Sequence, residues 1–218
     1  MADVKTTSGR WVCLDVGETL IDESRVWETW AEILGVTRFT FMAAMGAMLA
    51  RGRQFDEVFA FLGVTNRDEH RAAFNAAYGG FQERDLYGDA KPALDTLRGA
   101  GYKLAIIANQ PAERTEELRF LGVRADVMGM SSEMGVHKPA PEFYVEALRR
   151  MGDPPPTDVA YVGDRLDNDI NPAAAAGMRA VWIKRGPWAA ITDEAPPPGT
   201  LIVTSLTELT ERIGEAWA

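Results

Sequence analysis

The chain has 218 residues, of which 46% are hydrophobic and 25% charged, the composition of a globular protein with one large domain or one domain and a small insert. Its net charge of −9, without a dense run of lysine and arginine, argues against nucleic acid as a partner, because binding a phosphate backbone needs clustered positive charge. The single cysteine excludes an internal disulfide and favours a cytoplasmic protein. Met1–Arg10 shows no apolar core of a signal peptide, and the sequence has no run of ~20 apolar residues for a membrane span.

The first predicted element is a buried strand, Trp11–Leu14, which leads directly into Asp15. Residues 22–88 then carry four apolar stripes at the spacing of a helix face, with no strand pattern between them. The stripes begin at Val26, Phe41, Val58 and Phe74. We therefore predict a small helical domain over residues 22–88, inserted after the first strand and forming a lid beside Asp15.

From residue 89 onward, the pattern alternates between strands and helices. The apolar runs that predict strands are Leu104–Ala108, Val127–Met130, Val159–Val162, Ala180–Ile183 and Leu201–Val203. The predicted helices are Lys91–Ala100, Ala112–Leu121, Pro141–Met151, Asn168–Ala176 and Leu206–Ala216. This alternation predicts an α/β fold with a doubly wound parallel sheet, formed by residues 1–21 and 89–218.

Polar side chains fall at the carboxyl ends of these strands, where doubly wound sheets bind their ligands. Asp15, Asn109 and Asp164 each follow a strand, Lys138 comes from a loop past another, and Asp169 lies five residues after Asp164. Three carboxylates at one sheet edge repel each other unless a cation lies between them, and oxygen-only ligands favour Mg²⁺. We therefore predict a magnesium site beside an Asp15–Lys138 pair.

Three neighbouring polar residues allow more than one interpretation. The hydroxyl of Thr19 is expected to brace the loop after the first strand. Asn109 can donate its amide to an anion, or it can be an ordinary turn residue. Glu18 is predicted to be a solvated turn residue in preference to a carboxylate of the pocket.

In their order and spacing, these residues resemble the motifs of the haloacid dehalogenase-like (HAD) hydrolase superfamily over nearly the whole chain. That family has an Asp-x-Asp-x-Thr after a strand, a Ser or Thr ending a strand and often followed by Asn, a lysine often before proline, and a Gly-Asp with a second Asp five residues later. The matching segments are Asp15-Val-Gly-Glu-Thr19, Ala108-Asn109, Lys138-Pro139, and Gly163-Asp164 with Asp169. The predicted helical insert resembles the family's type 1 cap.

The resemblance implies a hydrolase, most simply a phosphatase, in which Asp15 is the nucleophile and forms a covalent aspartyl intermediate. Mg²⁺ would be held by Asp15, the backbone carbonyl of Gly17 and Asp164, with Asp169 acting nearby or through water.

Substrate binding is implied for three more residues. Lys138 would hold both Asp15 and the transferring group, and Asn109 and Thr19 would contribute to the phosphate site. The expected partner is a small anionic substrate, bound by a monomer or homodimer that contacts neither nucleic acid nor membrane.

Two positions depart from the family pattern. Gly17 stands where the family has the acidic residue that protonates the leaving group and later activates water, a role typically worth ~10²–10⁴-fold in rate. Ala108 removes one hydroxyl that would bind the phosphate. We therefore expect a preference for good leaving groups or a substitute acid, for which Glu18 and the carboxylates of the lid are unranked candidates.

Two alternatives stay open. The 2-haloacid dehalogenase branch of the family displaces halide without metal, and Tyr144 fits its pattern, with Arg25 or Arg38 of the lid as candidates to bind the substrate carboxylate. Its expected residues at positions 17, 108, 164 and 166 differ from those of this chain, so halide displacement is the less favoured interpretation. The third hypothesis is a binding or regulatory protein that has kept the fold and lost turnover.

Overall fold

The computed structural model describes residues 9–53 and 56–218. The strands are β1 (Trp11–Leu14), β2 (Lys103–Ala108), β3 (Val127–Met130), β4 (Val159–Gly163), β5 (Arg179–Ile183) and β6 (Leu201–Val203). They form one sheet in the order β3-β2-β1-β4-β5-β6, and every neighbouring pair is parallel. The expectation about a signal peptide in Met1–Arg10 falls mainly on residues 1–8, outside the described residues.

Helices cover both faces of this sheet. Between β1 and β2 lie α1 (Ser24–Ile33), α2 (Arg38–Leu49), α3 (Glu57–Phe61), α4 (Arg71–Tyr78) and α5 (Ala90–Gly99). The later helices are α6 (Arg114–Phe120), α7 (Ser131–Met134), α8 (Pro141–Arg150), α9 (Asn171–Ala175), α10 (Gly186–Ile191) and α11 (Leu206–Arg212).

Strand β1 lies in the middle of the sheet and has no polar face. Val12 and Leu14 pack into the apolar cluster on one side of the sheet, whereas Trp11 and Cys13 pack into the cluster on the other. Such two-sided burial is typical of a parallel strand covered by helices. Because the strand order changes direction between β1 and β4, the residue that follows β1, Asp15, leaves the sheet at the point where doubly wound folds bind ligands.

The prediction of an α/β fold with a doubly wound parallel sheet is confirmed. Each predicted strand is present, and β2 and β5 begin one residue earlier than predicted. The predicted helix Asn168–Ala176 is instead a π-helical turn, Leu166–Ile170, followed by α9. Helices α7 and α10 were not predicted, because four and six residues are too short to show a helical period.

The helices after β1 pack around Trp30. Its ring centroid lies 4.8 Å from that of Phe59 in α3 and 4.3 Å from that of Phe74 in α4. Trp27, one turn earlier in α1, stacks with Phe41 of α2 at 6.2 Å. The aromatic stripes that predicted these helices therefore form the core of the helical region, and the exact domain boundary over 22–88 stays a prediction.

Within the described ranges, no single helix is both long and apolar enough to cross a membrane. Helices α1 and α2 reach that length and composition only when taken together, and they are bent by 115° where they meet.

Candidate functional site

The centre of the site is a buried lysine held between two carboxylates. Lys138 Nζ lies 2.7 Å from Asp15 Oδ1 and 2.6 Å from Asp169 Oδ1. The side chains of Lys138 and Asp169 are almost fully excluded from solvent, at 1% and 0% exposure, whereas Asp15 keeps 11%. Asp15 is thus the most exposed member of this triad.

The charge of the ammonium group is set by these neighbours. Burial acts to lower the pKa of Lys138, but the carboxylates of Asp15 and Asp169 more than offset it and raise the pKa above its ordinary value. Lys138 is therefore a permanent cation, and it partly neutralises the two acids that it contacts.

The loop that carries Lys138 is positioned by Asn109, the residue after β2. Asn109 Nδ2 donates to the backbone oxygen of Lys138 at 3.0 Å, and the backbone N–H of Lys138 donates to Asn109 Oδ1 at 2.8 Å. These paired hydrogen bonds explain how a loop residue from beyond β3 reaches the end of β1. They use one of the two N–H groups of the Asn109 amide.

Two acidic residues follow β4 and complete an acidic cluster. One carboxylate oxygen from each of Asp15, Asp164 and Asp169 lies within 4.8 Å of the others. Asp169 approaches the sheet closely because residue 163 is glycine: a Cβ on Gly163 would lie 2.5 Å from the Cβ of Asp169. Gly163 therefore makes room for Asp169, and the next residue, Asp164, supplies a second carboxylate to the cluster.

The two later aspartates differ in how their oxygens are used. Asp169 accepts from Lys138 Nζ through Oδ1 and from the backbone N–H of Arg165 through Oδ2, at 3.0 Å. Asp164 Oδ2 is buried and has no hydrogen-bond partner among the described residues. An orphaned buried carboxylate oxygen beside two other carboxylates is the donor set that a hard divalent cation such as Mg²⁺ prefers, so the residues fit the predicted metal.

The protein alone does not stabilise these charges well. Burial, followed by the charges of Asp169 and Asp15, raises the pKa of Asp164 well above its ordinary value. Burial also raises the pKa of Asp169, to about 6, although Lys138 acts in the opposite direction. A cation at the cluster would lower both pKa values.

The structure corrects two predictions for the loop after β1. Thr19 is fully buried, does not line the cleft, and its Oγ1 has no partner in the described part of the chain, so it is not placed to bind substrate phosphate. Glu18 is 5% exposed and so is not solvated: it accepts from Tyr87 Oη at 2.5 Å and from the backbone N–H of Glu23 at 3.1 Å. Its φ is +47°, a conformation that an L-residue adopts at a cost.

The space beside Gly17 contains the carboxyl group of Glu23. A Cβ on Gly17 would lie 2.6 Å from Glu23 Oε1 and 2.8 Å from Glu23 Cδ. Burial, then the charges of Glu18 and Asp15, raises the pKa of Glu23 to about 8. Glu23 was not singled out from the sequence, where it reads as one more acid at the start of the first predicted helix.

In front of these residues lies a cleft of about 680 Å³ between the sheet edge and the helices that follow β1. Its sheet side includes Asp15, Gly17 and Asp164, and its helical side includes Trp30 and Arg67. The Arg67 guanidinium lies 5.0 Å from the ring centroid of Trp30, and its buried Nε has no partner among the described residues. Burial lowers the pKa of Arg67.

The arginines considered for a substrate carboxylate do not line this cleft. Arg25 binds Asp85 and the backbone oxygens of Tyr78 and Gly80, and Arg38 is an exposed partner of Glu32. Tyr144 is buried behind the site, and its hydroxyl donates to the Asn168 backbone oxygen at 2.7 Å. None of these three side chains therefore lines the cleft in front of Asp15.

Comparison with known proteins agrees with this geometry. A family model described as haloacid dehalogenase-like hydrolase matches residues 10–177. Glyceraldehyde 3-phosphate phosphatase of Methanopyrus kandleri is 38% identical over 139 residues, 62% of this chain and 59% of that protein. Phosphoserine phosphatase of Thermus thermophilus is 36% identical over 112 residues, 49% of this chain and 45% of that protein.

These two curated relatives are thus matched over about half of their length. Among solved structures, the HAD phosphatase of Thermococcus onnurineus superimposes with a TM-score of 0.62 at 22% identity, covering 94% of this chain and 98% of that one. At this identity the likeness shows the fold alone.

Proposed function

The chain belongs to the haloacid dehalogenase-like hydrolase family, and on that premise we propose that it is a phosphohydrolase of small phosphorylated metabolites that works through an aspartyl-phosphate on Asp15. The observation that carries this proposal is the buried ion triad of Asp15, Lys138 and Asp169, in which Asp15 is the most exposed member and lines the cleft together with Lys138. A carboxylate held by a permanent cation at the floor of a cleft is placed to attack an incoming anion.

In the proposed reaction, a carboxylate oxygen of Asp15 attacks phosphorus and the bond to the leaving oxygen breaks. Lys138 holds the attacking carboxylate in place and balances the negative charge of the phosphoryl group. Asn109 keeps Lys138 at this position, and the second N–H of its amide is the donor proposed for a phosphoryl oxygen. Water then attacks the same phosphorus and releases inorganic phosphate from Asp15.

We propose Mg²⁺ as the cofactor, held by Asp15, the backbone carbonyl of Gly17 and Asp164, with Asp169 in support. The orphaned Asp164 Oδ2 and the oxygen-only donor set favour this assignment. When bound, the ion supplies positive charge to the phosphoryl oxygens and removes the repulsion among the carboxylates.

The proposed substrate class is a small phosphate ester that carries a further polar or anionic group. The cleft of about 680 Å³ suits a metabolite, and Arg67 offers a partly buried cation on its helical side. The names of the curated relatives, glyceraldehyde 3-phosphate phosphatase and phosphoserine phosphatase, agree with a small phosphorylated substrate.

We also propose a domain organisation, a cellular compartment and an oligomeric state for the protein. Residues 22–88 act as a type 1 cap over the core formed by residues 1–21 and 89–218. The protein works in the cytoplasm, which agrees with its single, buried thiol at Cys13. It acts as a monomer or homodimer and engages neither nucleic acid nor membrane, in keeping with its net charge of −9.

The test is turnover of p-nitrophenyl phosphate and acetyl phosphate by the full chain with Mg²⁺, beside the Asp15→Asn variant and an EDTA control. We expect metal-dependent phosphate release that falls more than ~10³-fold in Asp15→Asn. Mass spectrometry of the acid-quenched enzyme should show one added phosphoryl group, located on Asp15.

Two results would redirect the assignment. Halide release from 2-chloropropionate that persists in EDTA would establish the dehalogenase alternative. Binding of Mg²⁺ and phosphate without product from any phosphate ester would establish the binding or regulatory alternative.

A further inference from the structure

We propose that Glu23, supplied by the helical insert, is the catalytic acid and base that Gly17 fails to provide. This inference rests on the proposed phosphohydrolase function and assigns its proton-transfer step.

The carboxyl group of Glu23 lies where a side chain on residue 17 would lie. The separation of 2.6 Å between a Cβ on Gly17 and Glu23 Oε1 is close to the distance at which an aspartate holds its own carboxylate oxygens from its Cβ. The family position that is empty in the sequence is therefore filled in space by a carboxyl group from residue 23. Asp15, Gly17 and Glu23 all line the same cleft.

The position of the Glu23 carboxyl, and not the backbone conformation, depends on glycine at residue 17. Gly17 is not among the glycines with positive φ, so its backbone is accessible to any L-residue. A side chain on residue 17 would instead displace the Glu23 carboxyl. The two features therefore form one arrangement, because a carboxyl on residue 23 can occupy this place only if residue 17 has no Cβ.

The start of helix α1 is fixed so that Glu23 points at the site. Its backbone N–H donates to Glu18 Oε1, and the other oxygen of Glu18 accepts from Tyr87 Oη. Gln110, from the loop after β2, lies 3.5 Å from Glu23 Oε1 through its Nε2, at the outer limit of a hydrogen bond. Glu23 is thus held at its backbone and only loosely at its carboxyl, which leaves an oxygen free for substrate.

The hydrogen bonds of Glu18 and Glu23 show which of these two carboxyl groups is free to act as the acid. Both carboxylate oxygens of Glu18 are engaged, so Glu18 is a positioning residue that orients the start of α1. The carboxyl of Glu23 faces the cleft, and a single weak contact to Gln110 is its only hydrogen bond among the described residues.

In the proposed reaction, Glu23 is first a proton donor and then a proton acceptor. When Asp15 attacks phosphorus, the bond to the leaving oxygen breaks, and the protonated Glu23 gives its proton to that oxygen, so that an alcohol departs. The Glu23 carboxylate then takes a proton from water while the water oxygen attacks phosphorus. The Asp15–phosphorus bond breaks, inorganic phosphate leaves, and Glu23 is again protonated.

The experiment compares the full chain with its Glu23→Gln variant, in saturating Mg²⁺, on an alkyl phosphate and on p-nitrophenyl phosphate. An alkoxide needs a proton to leave and p-nitrophenolate does not, so we expect kcat for the alkyl ester to fall ~10²–10⁴-fold with little change in KM. For p-nitrophenyl phosphate we expect a burst of one p-nitrophenol per enzyme and then slow turnover, with phosphorylated Asp15 accumulating by mass spectrometry.

Two further variants sharpen the result. Glu32→Gln removes an exposed carboxylate from α1, the helix that Glu23 precedes, and should leave every readout unchanged. The double variant Gly17→Asp with Glu23→Gly moves the carboxyl from residue 23 to residue 17 and should restore alkyl phosphate turnover at least ~10-fold over Glu23→Gln.

The outcomes separate the two proposals. Wild-type rates and no phosphoenzyme accumulation in Glu23→Gln, or a change in KM alone, would overturn the role of Glu23 and leave the phosphohydrolase intact. A wild-type chain that is neither phosphorylated nor active would overturn the phosphohydrolase function itself, and the role of Glu23 with it.

Discussion

The two walls of the cleft are built in different ways. On the sheet wall, Asp15, Lys138 and Asp169 are buried, paired and fixed by backbone hydrogen bonds at the ends of strands. On the helical wall, Glu23 and Arg67 are only partly buried, and their charged groups have few partners among the described residues. The sheet wall therefore holds its charged groups rigidly, whereas the helical wall leaves its charged groups room to adapt.

The largest expected effect comes from removing the cation of the sheet wall. In Lys138→Met, the carboxylates of Asp15 and Asp169 lose their buried partner, so the free energy of unfolding without metal should fall by ~3–5 kcal/mol. Turnover should fall more than ~10²-fold. Urea titration and steady-state kinetics measure both.

The control for this change is Lys91→Met. Lys91 forms an exposed ion pair with Glu83, and its loss should change the free energy of unfolding by less than ~1 kcal/mol. Equal losses in the two variants would contradict the difference between a buried triad and a surface pair.

The next largest effect is expected when a glycine on each wall is replaced by alanine and the free energy of unfolding is compared. Gly163→Ala would put a Cβ 2.5 Å from the Cβ of Asp169, whose two oxygens are both engaged, so it should destabilise the fold by ~1–3 kcal/mol. Gly17→Ala meets only the flexible end of Glu23, so it should cost less than ~1 kcal/mol while displacing that carboxyl. Urea unfolding of both variants is the measurement, and a reversed order would refute the contrast between rigid and adaptable walls.

A smaller effect is expected in the pH dependence of stability. The folded chain holds the pKa of Glu23 at about 8, above its ordinary value of 4.5. Its stabilising contribution is therefore complete below about pH 4.5 and is lost as the pH rises to about 8. For metal-free protein, we expect the free energy of unfolding to decline over this range by ~1–2 kcal/mol more in wild type than in Glu23→Gln, after allowance for the partial exposure of Glu23. Urea titrations at several pH values in EDTA test this, and parallel curves would contradict it.

The smallest expected effect concerns Arg67. In Arg67→Ala, KM for phosphate esters that carry a second anionic group should rise ~10-fold, while p-nitrophenyl phosphate should be less affected. The matched control is Arg71→Ala, because Arg71 also lines the cleft but is exposed and paired with Asp68. Similar KM changes in the two variants would show that Arg67 has no specific role.

The sheet wall was largely predictable from the sequence. Apolar runs identified the strands, and parallel strands bring their carboxyl ends to one edge, so Asp15, Asn109 and Asp164 had to meet there. Lys138 depended on the resemblance to a known motif, since nothing local in the sequence shows that its loop is tied to Asn109.

The helical wall was not predictable in the same way. The approach of Glu23 to Gly17 depends on a tight loop in which Glu18 adopts a positive φ and turns inward, and residue types alone do not reveal that conformation. Arg67 lies in a short 3₁₀ turn, Arg67–His70, which has no periodic pattern to mark which of its side chains face inward.

Glu23 precedes the first residue of α1 and so belongs to the start of the insert, whereas residue 17 belongs to the loop that carries the nucleophile. A carboxyl on residue 17 would stay with the nucleophile at every stage, whereas one on residue 23 would follow any displacement of the start of α1. Widening of the cleft to discharge an alcohol or phosphate would then also withdraw the proton donor. In the open form, the phosphorylated Asp15 would then have no general base beside it. Bulk water that reached it would hydrolyse the aspartyl-phosphate only slowly.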